Sequence, residues 1–206
     1  ENNMRNKFFF IISLIFWLLM VVGFSDNWLF DTGQKSNSQP KFLIHAFFAF
    51  LWFTLLVVQT GLIRKKNFKL HMKIGLLGIV IYYLLTITVW NIYFEKFIDE
   101  NDWMKLAKPL EAFSIVLVTL GFLNRKKNTQ KHKDYIIFGT FCLIGPALDR
   151  TTYHLFGPEN SLWPMLILTF GLLGSFIWYK KKFTWYMGLW LMFWTFSLYP
   201  VISRMF

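Results

Sequence analysis

Residues 42–73 read FLIHAFFAFLWFTLLVVQTGLIRKKNFKLHMK. Phe42–Ile63 holds no Lys, Arg, Asp or Glu and is close to the ~20 residues an α-helix needs to cross a bilayer core. It ends on a cluster of Arg64, Lys65, Lys66, Lys69 and Lys73, and a second apolar run, Met72–Phe94, follows at once. Apolar helix, basic turn and returning apolar helix together describe a membrane hairpin whose turn lies on the side where Lys and Arg accumulate.

The same grammar extends in both directions. Seven apolar stretches divide the chain: Phe8–Phe24, Phe42–Ile63, Met72–Phe94, Leu110–Leu123, Tyr135–Leu148, Leu162–Trp178 and Phe183–Val201. Fifteen of the 22 Lys and Arg fall in alternate connections, around Arg5–Lys7, Arg64–Lys73, Arg125–Lys133 and Lys180–Lys182. Nine of the 11 acids lie on the opposite side, Glu1 and Asp134 being the other two. The basic side reads as cytoplasmic. The sequence therefore predicts an all-α integral membrane protein with seven transmembrane helices, a cytoplasmic N-terminus and an outer C-terminus.

Fifty-five per cent hydrophobic and 21% aromatic content over 206 residues leaves room for seven spans and short connections, so 1–206 reads as one membrane domain. The net charge of +11 sits in short juxtamembrane clusters that meet anionic headgroups, which argues against a nucleic-acid partner and for the lipid bilayer. Cys142 is the one cysteine, so no disulfide framework forms within one chain. Phe8–Phe24 has the basic flank of a signal peptide, but it is long and Phe24-Ser25-Asp26-Asn27 is a poor cleavage site, so it reads as the first membrane helix. The stretch Glu95–Lys108, containing Trp103 and Met104, reads as a short interfacial helix.

Hairpins 42–94 and 109–155 share a plan. Gly61-Leu-Ile-Arg64-Lys65-Lys66 leads to His71, and Gly121-Phe-Leu-Asn-Arg125-Lys126-Lys127 leads to His132. A duplication giving a parallel repeat explains this; so does the rule that short cytoplasmic turns are basic. Gly75 and Gly78, Gly139 and Gly145, and Gly171 and Gly174 are places for close helix approach. Gly145-Pro146 predicts a kink in the fifth span.

Polar groups at membrane depth are costly and so mark candidate sites. On the outer side His45, Asn91, Glu111, Asp149, Arg150, His154 and Arg204 share one layer. Of these, His45, Glu111, Asp149, Arg150, His154 and Arg204 are candidate ligand-binding residues. Three chemistries suit them: an ion-pair network in which Arg150 and Arg204 neutralise Glu111 and Asp149, a pocket for a lipid headgroup or small acid, and a divalent metal on His45, Glu111 and His154. On the cytoplasmic side His71 and His132 head two outgoing helices, a placement that suits haem b held between imidazoles, or simply two solvated rings in basic turns. Gln59 reads as a hydrogen-bonding contact to an adjacent helix.

The pattern His45, Trp52, Gln59, His71, Lys73 and Gly75, that is His-x6-Trp-x6-Gln-x11-His, resembles a family of uncharacterised bacterial multi-pass membrane proteins. Leu110-Glu111, Arg125-Lys126-Lys127, His132-Lys133, Leu143-Ile144-Gly145-Pro146-Ala147 and Arg150 resemble the same family's following helices, with Asp134 and Tyr135 in place of its Arg-Leu. The likeness covers about residues 42–150 and implies a fold but no activity. A fainter likeness to two-haem cytochromes b lacks the needed histidine on the fourth helix, where Glu111 stands. Three function classes follow: a binding or transport protein for a small molecule or headgroup, a haem or metal redox protein on His71/His132 or His45/His154, and a structural or assembly subunit with other membrane subunits as partners. No hydrolase triad, P-loop or dinucleotide motif is present.

Overall fold

The computed structural model describes the backbone of residues 2–30, 33, 35–95 and 102–202, with side chains for 6–30, 33, 37–94 and 107–196. Arg204 and the side chains of Trp103 and Met104 lie outside this set. The described chain is helical: α1 Asn2–Gly23, α2 Ser25–Trp28, a 3₁₀ turn Lys35–Ser38, α3 Pro40–Arg64, α4 Phe68–Glu95, α5 Asp102–Asn124, α6 Thr129–Phe141, α7 Gly145–Phe156, α8 Leu162–Lys180 and α9 Trp185–Ile202. Among the described residues no strand occurs. Five helices, Asn6–Gly23, Pro40–Arg64, Phe68–Phe94, Ala107–Asn124 and Leu162–Lys180, are long and apolar enough to cross a membrane. The protein is thus a multi-pass membrane protein in contact with lipid, and exposed side chains such as Phe47, Leu76, Ile87 and Ile167 are what lipid contact requires.

Two expectations change. The fifth apolar stretch is broken rather than kinked: α6 stops at Phe141 and α7 starts at Gly145. The bonds Leu143 N to Thr140 O (2.9 Å) and Ile144 N to Phe141 O (3.3 Å) tighten the end of α6, and Pro146, with no N–H and a ring that crowds the preceding turn, stops the ladder from continuing. Thirteen and 12 residues give helices of only about 20 Å each, below a ~30 Å core. Of the stretch expected as an interfacial helix, residues from Asp102 onward belong to α5, with Pro109 inside it, and 96–101 lie outside the described residues.

The chain packs as two compact units, Glu1–Ile92 with Pro146–Pro164, and Tyr93–Gly145 with Met165–Phe206. In the first, α1 lies along α3 through Ser13 Oγ to Thr60 Oγ1 (2.7 Å) and Trp17 Nε1 donating to Thr54 Oγ1 (3.0 Å). At the other end of α1, a Cβ on Gly23 would come to 2.5 Å from the Ala147 carbonyl oxygen, so only glycine lets α7 approach there, and Thr151 Oγ1 donates to the Leu19 carbonyl (3.0 Å). The second unit is tighter between α5 and α6. A Cβ on Gly139 would sit 2.7 Å from Val118 Cγ2, a Cβ on Gly121 2.9 Å from Ile136, and Ser114 Oγ donates to the Gly139 carbonyl (2.7 Å). Phe138, Phe141, Phe176, Tyr186 and Trp190 form its aromatic core, with Phe141 stacked on Trp190 at 5.0 Å. Of the glycines expected to bring helices together, Gly139 does so, whereas Gly145, Gly171 and Gly174 face open space.

Candidate functional site

The two basic turns repeat more than their charge. Both read Arg-Lys-Lys-Asn, at 64–67 and 125–128, and in both a histidine follows four residues after the asparagine. Asn67 Oδ1 accepts from Leu70 N (3.2 Å) and Asn128 Oδ1 from Lys131 N (2.9 Å). Each asparagine thus caps the helix that carries the histidine, which places both rings one turn inside a fixed helix start.

From there the rings differ. His132 Nδ1 lies 2.9 Å from the Gly121 carbonyl oxygen. A carbonyl only accepts, so Nδ1 carries a proton and the lone pair of the neutral ring is on Nε2. His71 meets the Gln59 side chain instead. With the Gln59 amide oriented so that its oxygen accepts from Gly75 N (3.0 Å), its nitrogen donates to the His71 carbonyl (3.2 Å) and to His71 Nδ1. Gly75 N–H can only donate, which fixes the amide, makes Nδ1 of His71 an acceptor and puts that ring's proton on Nε2. The pair therefore takes opposite tautomers, and His71 would have to give up the Gln59 bond to present a lone pair from Nε2.

Gln59 belongs to a stripe. His45, Trp52 and Gln59 recur every seven residues on α3, two helical turns apart and on one face. His45 Nδ1 lies 3.1 Å from Thr88 Oγ1, Trp52 packs on Tyr82 with ring centres 4.8 Å apart, and Gln59 takes His71 and Gly75. All the partners are on α4. The three residues that carry much of the family-like pattern thus form the seam of one antiparallel hairpin, with His45 committed to that seam.

Arg150 and His154 do converge, on α7. Arg150 Nη1 donates to Asn27 Oδ1 (2.9 Å) and lies 3.6 Å from Asp26 Oδ1, and its guanidinium stands over the Phe24 ring at 4.8 Å. His154 Nε2 is 3.5 Å from the same Asp26 oxygen, and Asn27 Nδ2 donates to Asn37 Oδ1 (2.6 Å). The carboxylate that joins Arg150 to His154 is therefore Asp26, while Asp149 is exposed. Glu111 belongs to the other unit, is buried, and its Oε1 has no hydrogen-bond partner among the described residues. Among the described residues no group of three or more His, Cys, Asp or Glu is arranged to hold a metal.

Sequence reasoning missed three residues. Asp26 and Asn27 follow the first apolar stretch, at the end of α1 that α7 approaches. Asp134 was visible as an acid on the basic side. It is buried, ion-paired with Lys180 and hydrogen-bonded by Gln130 Nε2 (2.8 Å), which also reaches Tyr179 Oη (2.9 Å), so it ties α6 to α8. Compared with known proteins, the chain matches no family model, no curated protein and no solved structure.

Proposed function

We propose that the chain is a seven-segment protein of a bacterial inner membrane, N-terminus inside and C-terminus outside, that binds an oxyanion at an outward-facing site built on Arg150. Five membrane helices, the broken segment 129–156 and α9 make up the seven, and the bias of Lys and Arg supports the orientation. The oxyanion is a lipid headgroup phosphate or the carboxylate of a small acid. One observation carries the reading: among the described residues both polar contacts of Arg150 use Nη1, which leaves the Nη2 and Nε edge of a planar fork, half exposed at 39%, for a second oxyanion. His154 supplies a further donor beside it when protonated.

The test is retention of co-purified phospholipid and binding of added small carboxylates, followed by native mass spectrometry on the wild type and on Arg150→Gln. Lipid lost with Arg150→Gln points to a headgroup, and loss of carboxylate binding alone points to a small acid. If Arg150→Gln lowers thermal stability and changes neither, the Asp26–Arg150–His154 cluster is structural. Orientation is checked separately with single cysteines: one at Ser38 should react with an impermeant reagent outside intact cells and one at Asn128 should not. The rival reading, haem b or a metal on His132, is favoured by the carbonyl-oriented ring with its lone pair on Nε2, the arrangement that histidine ligands commonly take. A Soret band or stoichiometric metal in the purified protein, abolished by His132→Ala, would put it first.

A further inference from the structure

Glu111 stands in the apolar run of α5, 6% exposed, within a unit whose packing leaves its Oε1 without a hydrogen bond. A charged carboxylate in that position is costly, and proteins meet such a cost with a counter-charge, a metal or a proton. Among the described residues neither of the first two is found. Among the described residues the groups within electrostatic reach are Tyr93 at the end of α4 and Cys142 just past α6, neither of them cationic. Lys108 precedes Glu111 on its own helix, three positions away, and has another engagement. Tyr186 is the one described titratable group of α9, which packs on α5 through Phe113 and Phe193 (5.6 Å). A metal cation needs several oxygen or nitrogen ligands, and no such group forms among the described residues. A proton needs only the one base. The same unit holds a buried Trp194 Nε1 that also lacks an acceptor among the described residues.

We infer that Glu111 is a proton-binding site inside the membrane part of the chain, taking up and releasing one proton at its carboxyl. The site is independent of Arg150 and stands or falls apart from the oxyanion reading. The step is a protonation alone: the proton enters from water, joins Glu111, and returns to water or to a carried substrate, with no change of oxidation state.

Dicyclohexylcarbodiimide tests it, because this lipophilic reagent consumes protonated carboxyls in apolar surroundings. In the full chain in liposomes, the peptide containing Glu111 should gain the reagent's mass, severalfold more at about pH 6 than at about pH 10, because only the protonated carboxyl reacts and alkaline medium removes an exchangeable proton. A water-soluble carbodiimide should leave it unmodified, and Glu111→Gln should abolish the adduct while Glu111→Asp keeps it. Should the variants fail to fold, infrared spectra of the wild type at the same two pH values read the protonated-carboxyl band directly. An unlabelled Glu111 at all pH values, labelling that ignores pH, or modification by the soluble reagent would each overturn the assignment.

Discussion

The α3/α4 and α5/α6 hairpins turn through the same Arg-Lys-Lys-Asn and cap their second helices in the same way, yet their seams differ. In α5/α6 the helices meet on Gly121 and Gly139, so close that His132 reaches the backbone of the opposite helix. In α3/α4 the contacts are made by long side chains, Trp52 on Tyr82 and Gln59 on His71, and a Cβ on Gly75 would find Gln59 at an ordinary 3.6 Å. The turn backbone differs as well, since Lys66 takes a left-handed φ of 57° and the Asn67 N–H reaches back to the Leu62 carbonyl (2.9 Å), a helix end that usually selects glycine. Small residues at a membrane seam draw the backbones together. Where they are missing, a glutamine side chain spans the gap. The difference teaches that one loop sequence supports two kinds of interface, and that the residues facing across the hairpin decide which.

The largest test acts on the tight hairpin's link to α8. Asp134→Ala leaves the largely buried Lys180 without its partner and should cost about 3–5 kcal/mol in unfolding titrated with SDS, while Asp134→Asn with Lys180→Met should recover part of it. Gly139→Val should be next, about 1–3 kcal/mol, from overpacking against Val118. Gly75→Ala, the matching change in the wide hairpin, should be neutral or stabilising by up to ~1 kcal/mol through helix propensity; a cost as large as that at Gly139 would show that the two seams are alike. Gln59→Leu should cost roughly 0.6–2 kcal/mol and move the His71 ring ¹⁵N shifts away from the Nε2–H tautomer, with no change at His132. Smallest and most symmetric, Asn67→Ala and Asn128→Ala should each cost about 1 kcal/mol. Unequal costs would mean that the shared turn does not do the same job twice.

Much of this was legible because lipid imposes a simple code. The uncharged run Phe42–Ile63 named its helix outright, and Gln59 was readable as an interhelical contact because a lone amide at that depth needs a partner. Depth was the limit of what could be read. A sequence ranks residues along the membrane normal but not around a helix, so Arg150 was set beside Glu111 and Asp149 when the carboxylate it meets is Asp26, just after α1. His45, at the right depth for the outer site, points into the α4 seam. Pro146 was visible as a disturbance, but whether a proline kinks or ends a helix depends on what satisfies the freed carbonyls, and here the 3₁₀ bonds at Thr140 and Phe141 end it. The twin asparagine caps could have been found by aligning Arg64–His71 with Arg125–His132, residue for residue.

The close approach of Gly23 to Ala147, with the Thr151–Leu19 and Arg150–Asn27 bonds beside it, joins segments up to 132 positions apart. A ribosome adding about 5–20 residues per second needs roughly 7 to 26 seconds to deliver the second half of that contact. The first helix must therefore wait in the bilayer with its glycine notch unfilled. Other proteins could occupy that notch during the wait, and a slowed ribosome would lengthen the exposure without altering a single residue.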